Sequence, residues 1–296
     1  MSLKEIKTRI SSVKSTRQVT SAMKMVSSAK LHHAQQRVEH MLPYQQKLSG
    51  MLRRFLSSAD TAQTVYTEQR EVKKVAIVAF SSNTSLCGSF NSSVARALDA
   101  ELEQFKDLGR DNITVIPVGK KIGEAVRKRG FDFSNDYEDE MNKPSFALIQ
   151  PLAQQLVDMY LKHEVDRIDL IYHHFRSAGS QQLVTQTYLP IDLSAFSATD
   201  GATDADSGKQ FNDNYIVEPS ADELLESMLP VVLDMQIFAA LIDSSASEHA
   251  ARMLAMQTAT DNADELISDL TIQYNKGRQQ AITNELLDIS SATAGQ

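Results

Sequence analysis

The sequence predicts an α/β protein whose two ends form a long antiparallel coiled coil and whose middle is an α/β layer of different character. Three observations predict it: heptad-spaced apolar residues at both ends, opposite charge on those ends, and short apolar runs alternating with helical stretches between them. Residues 1–57 hold eleven Lys/Arg against Glu5 and Glu39, a net of +9. From Pro219 to Gln296, twelve acids stand against Arg252, Lys276 and Arg278, a net of −9. Helices so charged can lie side by side, with the charges helping to set their register.

The first element is a helix over 1–57, with Gly50 its first glycine and Pro43 its one proline. Leu3, Ile6, Ile10 and Val13, then Leu31, Ala34, Val38, Met41, Leu48, Leu52 and Phe55, keep the heptad spacing of a coiled-coil seam. Continued through the gap, the same register puts Arg17, Thr20, Lys24 and Ser27 on the seam. Val19, Met23, Met25 and Val26 then point elsewhere, so this segment is expected to face more than one neighbour. A helix of this length would run about 85 Å.

Residues 58–72 read as a polar linker. In the domain 73–193 the period changes. Apolar runs at Val75–Phe80, Ile113–Val118, Ile168–Phe175 and Leu183–Ile191 read as strands, and Ser92–Phe105, Lys120–Arg129 and Ser145–His163 as helices between the first three. Alternating strand and helix implies crossover connections and a Rossmann-like α/β domain. Residues 194–218, rich in Ser, Ala, Asp, Thr and Gly, read as a mobile loop and connection. The helical period returns over 219–296, with Leu224, Met228, Val232, Met235, Ile242, Ala246, Met253, Met256, Ala263, Ile267, Leu270, Tyr274 and Ala281 on one stripe. Pro230 removes a backbone donor early in this helix and is expected to kink it. Neither terminal helix could bury its stripe alone.

Composition and motifs exclude much. At 296 residues and 42% hydrophobic, the chain can build a real core. No run approaches the roughly 20 apolar residues that span a bilayer, and the N-terminus lacks a signal-peptide core. Cys87 is the only cysteine, which rules out an internal disulfide and suits a reducing compartment. The net charge of −8 disfavours free nucleic acid as a partner. The loop Ser81–Asn91 follows the first strand and opens a helix, a place where α/β sheets often hold phosphates. It contains neither GxGxxG nor GxxxxGK[ST]. The seven histidines form no HExxH or His/Cys ligand pattern, and His173 and His174 fall on opposite faces of a strand. No nucleophile elbow is present. Neither a catalytic residue, a metal nor a cofactor is expected.

The run Ile6-Lys7-Thr8-Arg9-Ile10-Ser11-Ser12-Val13-Lys14 continuing to Thr20-Ser21-Ala22-Met23-Lys24-Met25-Val26 resembles the gamma subunits of bacterial F-type ATP synthases. So do Glu248-His249-Ala250-Ala251-Arg252-Met253 and Tyr274-Asn275-Lys276-Gly277-Arg278-Gln279-Gln280-Ala281-Ile282-Thr283, with Leu86-Cys87-Gly88 and Asn91 between them. The resemblance implies a central rotor shaft. It would couple rotation of a proton-driven c-ring to conformational cycling of catalytic β subunits, without being catalytic itself. The implied partners are the α and β subunits, the epsilon subunit and the c-ring, with no membrane insertion, on the cytoplasmic face of the bacterial inner membrane. Arg278, Gln279 and Thr283 match family positions that hydrogen-bond a loop of β, and Met23, Lys24 and Cys87 match positions facing an acidic segment of β. Tyr215 and Glu218 match the approach to the c-ring or epsilon. Where the family commonly has Asp-Arg-Gly before Leu-Cys-Gly, this chain has Asn83-Thr84-Ser85, which removes two charges.

Two other classes of function fit the residues less well. An α/β enzyme with a coiled-coil oligomerisation arm would bind a nucleotide or metabolite in isolation. A basic coiled-coil adaptor would bind nucleic acid with steep salt dependence, against which the acidic tail argues.

Overall fold

The computed structural model describes residues 2–58, 64–135, 137–191 and 221–294. The chain folds as two compact units, one of Met1–Lys30 with Arg252–Gln296 and one of Leu31–Ala251. In order, the elements are α1 (Leu3–Ser58), β1 (Val75–Phe80), α2 (Phe90–Gln104), β2 (Ile113–Val118), α3 (Lys120–Lys128), α4 (Glu138–Asn142), α5 (Phe146–Leu161), β3 (Arg167–Ser177), β4 (Ser180–Leu189) and α6 (Ala221–Ala294). Residues 194–218, read from the sequence as a loop, lie outside the described residues, as do the side chain of Phe55 and the whole of Tyr215 and Glu218.

The first unit is an antiparallel helix pair. Leu3 packs over Gly277, where an added Cβ would come within 3.1 Å of the leucine. Further along, Arg17 pairs with Asp264 and the Thr20 and Thr260 hydroxyls meet at 2.8 Å. Numbers rise on one helix as they fall on the other. The seam runs through Ile6, Thr20 and Ser27 of α1 and Met256, Ala263 and Leu270 of α6, all buried. Thr20 and Ser27 thus keep the heptad register through the polar stretch 17–27, while Arg17 stays exposed and Lys24 is half-buried. Thr20 and Ser27 can sit inside because their hydroxyls bond back to the helix, to the carbonyls of Arg17 and Met23.

The second unit is built on a four-stranded sheet in the order β2-β1-β3-β4. β1 pairs in parallel with β2 and β3, and β3 pairs antiparallel with β4. Flanked on both edges and covered on both faces, β1 is buried at all six residues, which is why its sequence is an unbroken apolar run. One face packs on α5 and α6 through Val78, Phe80, Leu152, Leu156, Leu233 and Ile237. The other packs on α2 and α3 through Ile77, Val94, Leu98, Ile122 and Val126. β4 begins at Ser180, three residues before its apolar part. Its first residues pair with the exposed end of β3 in a tight hairpin, where strand pairing needs no buried side chains.

α6 departs from the sequence expectation in one respect. Within Glu223–Leu287 it contains an 18-residue window of mean hydropathy 1.7, long and apolar enough by composition to cross a membrane. Half of that window is buried inside the protein, and Leu225, Leu229, Leu233, Ile237 and Leu241 of this region form the face that covers the sheet. The apolar character is thereby used in the core. Pro230 stands inside the helix, which continues through it.

Candidate functional site

The loop after β1 is held from both sides. Ser81 N–H donates to the Val118 carbonyl at 2.8 Å, and the Asn91 carboxamide accepts from Ser82 N–H at 3.1 Å and from Ser82 Oγ at 2.9 Å. The same Asn91 donates to the Cys87 sulfur at 3.2 Å. Cys87 is therefore turned inward and only 2% exposed. Its neighbour Leu86 stands out at 61% exposure with φ +68°, a left-handed conformation that a branched apolar residue seldom adopts. Handedness of this kind leaves no compositional trace, so the sequence alone does not single out Leu86.

The amides at the start of α3, which follows β2, are a second place where the sheet could hold a phosphate. They are already taken by the β1 loop. Lys120 N–H donates to Asn83 Oδ1 at 2.9 Å, Lys121 N–H to the Ser82 carbonyl at 3.1 Å, and Ile122 N–H to Ser81 Oγ at 2.9 Å. Asn83 also donates through Nδ2 to the Glu138 carbonyl at 2.7 Å, so its carboxamide bridges two segments with both ends. An aspartate could supply only the acceptor. Asn83→Asp should lower stability by about 1–3 kcal/mol, read as a lower urea midpoint. An unchanged midpoint would show that the bridge is replaced by water.

His173 and His174 lie on opposite faces of β3, as a period of two requires. His173 is buried, stacked 4.4 Å from the Phe90 ring, with Nε2 at 3.0 Å from Ser93 Oγ and Nδ1 without a partner. Burial lowers its pKa to about 4. The unfolded chain, with an ordinary histidine, then binds more protons between roughly pH 6.5 and pH 4, so stability falls as pH drops through that window. The loss attributable to His173 should reach about 3 kcal/mol, and His173→Gln should flatten the pH dependence of the urea midpoint there. Equal slopes for the two proteins would contradict the assignment. On the other face His174 Nδ1 lies 2.6 Å from Asp243 Oδ2. Burial pushes the Asp243 carboxyl above its ordinary range, and the bond to His174 pulls only partly against it.

A pocket of about 640 Å³ lies beside the end of β4. Its charged groups are spoken for. Arg70 bonds the Tyr160 carbonyl and His163, Arg167 bonds Asp169, and Asp166 accepts from the amides of Lys73 and Lys74. Among the described residues, no group of three or more His, Cys, Asp or Glu could hold a metal ion.

What the protein offers outward is an apolar surface on the helix pair. Val19 (58%), Met25 (64%) and Val26 (58%) are exposed while Thr20 and Ser27 fill the seam, an inversion of the usual amphipathic order. Met23 and Lys24 are half-buried beside them. Arg278, Gln279 and Thr283 are exposed, with Thr283 Oγ1 bonded to the Gln279 carbonyl at 2.9 Å. Because Leu3 faces Gly277, these three sit level with or beyond the start of α1, about six to seven turns from Met23. The two sets are separate places on one rod. Past Ala281, Ile282, Leu286, Leu287 and Ile289 are exposed as well. Their helical spacing is readable in the sequence once the seam is seen to end.

A sequence profile described as ATP synthase matches residues 2–295. The chain is 55% identical to the ATP synthase gamma chain of Bacteroides thetaiotaomicron, over 97% of each protein. It is 47% identical to that of Parabacteroides distasonis, over 99% of this chain and 98% of the relative. Among solved structures it is similar to a chain of the Tetrahymena thermophila mitochondrial ATP synthase central stalk and c-ring, at 25% identity and TM-score 0.55. That match covers 81% of this chain and 99% of the other. A chain of the Euglena gracilis mitochondrial enzyme shares the fold at 19% identity and TM-score 0.62, over 99% and 94%. The profile runs through both long helices and the sheet between them in one unbroken order, and on that ground the chain belongs to the ATP synthase family.

Proposed function

We propose that this chain is the central rotor shaft of a bacterial proton-driven F-type ATP synthase, the gamma subunit of the complex, and that it has no active site of its own. The observation that carries the reading is the inverted helix pair: a closed seam, with Val19, Met25, Val26 and the later Ile282, Leu286, Leu287 and Ile289 turned outward. A two-helix rod resists bending, and two unlike helices present different faces to chemically identical neighbours, which is what driving three like sites out of phase requires. In this reading residues 1–57 and 219–296 supply the shaft, 73–193 the attached domain and 194–218 the connection. Met23 and Lys24 meet an acidic segment of β, as does the loop around Cys87, whose reachable side chain is Leu86. Arg278, Gln279 and Thr283 engage a loop of β with guanidinium, amide and hydroxyl groups that can hold and release. The α subunits complete the surrounding ring. Tyr215 and Glu218 approach the c-ring or epsilon, and the complex stands on the cytoplasmic face of the inner membrane.

Co-purification tests the reading. An affinity-tagged chain recovered from detergent-solubilised membranes should bring α and β subunits with it in an ATP-hydrolysing complex. Recovery of the chain without them would overturn the proposal.

A further inference from the structure

The face of α6 on the sheet is mostly apolar, and apolar contact opposes separation without having a direction. Polar side chains also bond across it. Asp234 accepts from Gln150 Nε2 of α5 at 3.1 Å, Asp243 accepts from His174 Nδ1 of β3 at 2.6 Å, and Ser247 Oγ donates to the His173 carbonyl at 3.2 Å. Asp243 and Ser247 are one helical turn apart and bond adjacent residues of the same strand, one through a side chain and one through the backbone. The Asp243 side chain is 17% exposed and Ser247 is fully buried, so water cannot readily take over either bond. Moving α6 along β3 by a turn would break both at once, whereas leucines can find new neighbours.

We propose that the His174–Asp243 pair and the Ser247–His173 bond form a latch that fixes the axial register of α6 on the sheet, so that turning force passes between them without slip. The inference rests on the rotor reading. Its residues are positioning residues, remote from any nucleotide, and their role is to keep the helix from sliding on the sheet under load. His174 is half-exposed and Asp243 lies at the rim of the core, so both can be changed with the packed leucines left in place.

The test uses the assembled complex in inverted membrane vesicles, with ATP as the driver and a pH-sensitive dye as the readout of pumping. Asp243→Leu and His174→Leu should leave ATP hydrolysis intact and lower the protons pumped per ATP hydrolysed. Asp243→Asn, whose amide oxygen still accepts from Nδ1–H, should restore pumping. Hydrogen exchange at the amides of residues 244–247 in the complex should be about tenfold faster in Asp243→Leu. Normal pumping per ATP in Asp243→Leu overturns the latch, whatever the exchange rates show. A loss that Asn fails to rescue, or that follows only the amount of assembled complex, overturns it too. If wild-type vesicles contain no complex that includes this chain, the rotor reading itself fails.

Discussion

Replacing Gly119 by alanine is expected to destabilise the protein by about 4 kcal/mol, combining strain at a glycine-only backbone conformation with an unavoidable clash. Gly119 has φ +108°, and a Cβ there would stand 2.3 Å from the Ser81 carbonyl oxygen and 2.9 Å from its carbon. Those atoms are backbone and cannot swing aside. Ser81 is fixed by the hydrogen bond its N–H donates to the Val118 carbonyl and by the Ile122 N–H on its hydroxyl, so relieving the clash would part β1 from the start of α3. Against a typical stability of about 5–15 kcal/mol the loss is large. Gly179→Ala, in open space at the β3–β4 turn, is the matched control and should shift the urea midpoint little. Equal midpoints for the two variants would show that the β1 and β2 loops are not in contact.

The second large effect concerns partners. Val26→Asp combined with Met25→Asp should leave the free chain within about 0.5 kcal/mol of wild type, because both side chains are already in water. In the assembled complex the carboxylates would enter an apolar contact without partners, at a cost of several kcal/mol. ATP synthesis in energised vesicles should fall by about tenfold or more, since each 1.4 kcal/mol is a factor of ten. A normal rate would mean that this face meets no apolar neighbour during turnover.

Much of the fold was legible because its physics is periodic. The seven-residue spacing carried the seam through Arg17, Thr20, Lys24 and Ser27, where hydrophobicity alone would have broken it, and burial of Thr20 and Ser27 matches that register. The run at Val75–Phe80 marked the central strand for the same kind of reason. Less was legible where pairing replaces burial, as at Ser180–Gln182, whose polar side chains sit in a strand because the hairpin supplies the hydrogen bonds. The short helix Glu138–Asn142 escaped notice for want of any period. A count of consecutive apolar residues passes over the window of mean hydropathy 1.7 in α6, because isolated polar residues interrupt it.

The site was legible in outline only. Sequence spacing placed His173 and His174 on opposite faces but could not show that one stacks on Phe90 and the other reaches Asp243, contacts made across 69 residues or more. The family resemblance marks the position of Cys87, where the structure turns the thiol inward and presents Leu86. That difference depends on one positive φ and on the bonds of Asn91.

Rotation is the claim on which the rest depends, and it can be watched directly. A cysteine placed at exposed Ser180 on the hairpin turn, with native Cys87 too buried to compete for the label, can carry a bead on the surface-immobilised complex. Addition of ATP should turn the bead continuously in one direction. A bead that stays fixed while the same complexes hydrolyse ATP would contradict the account.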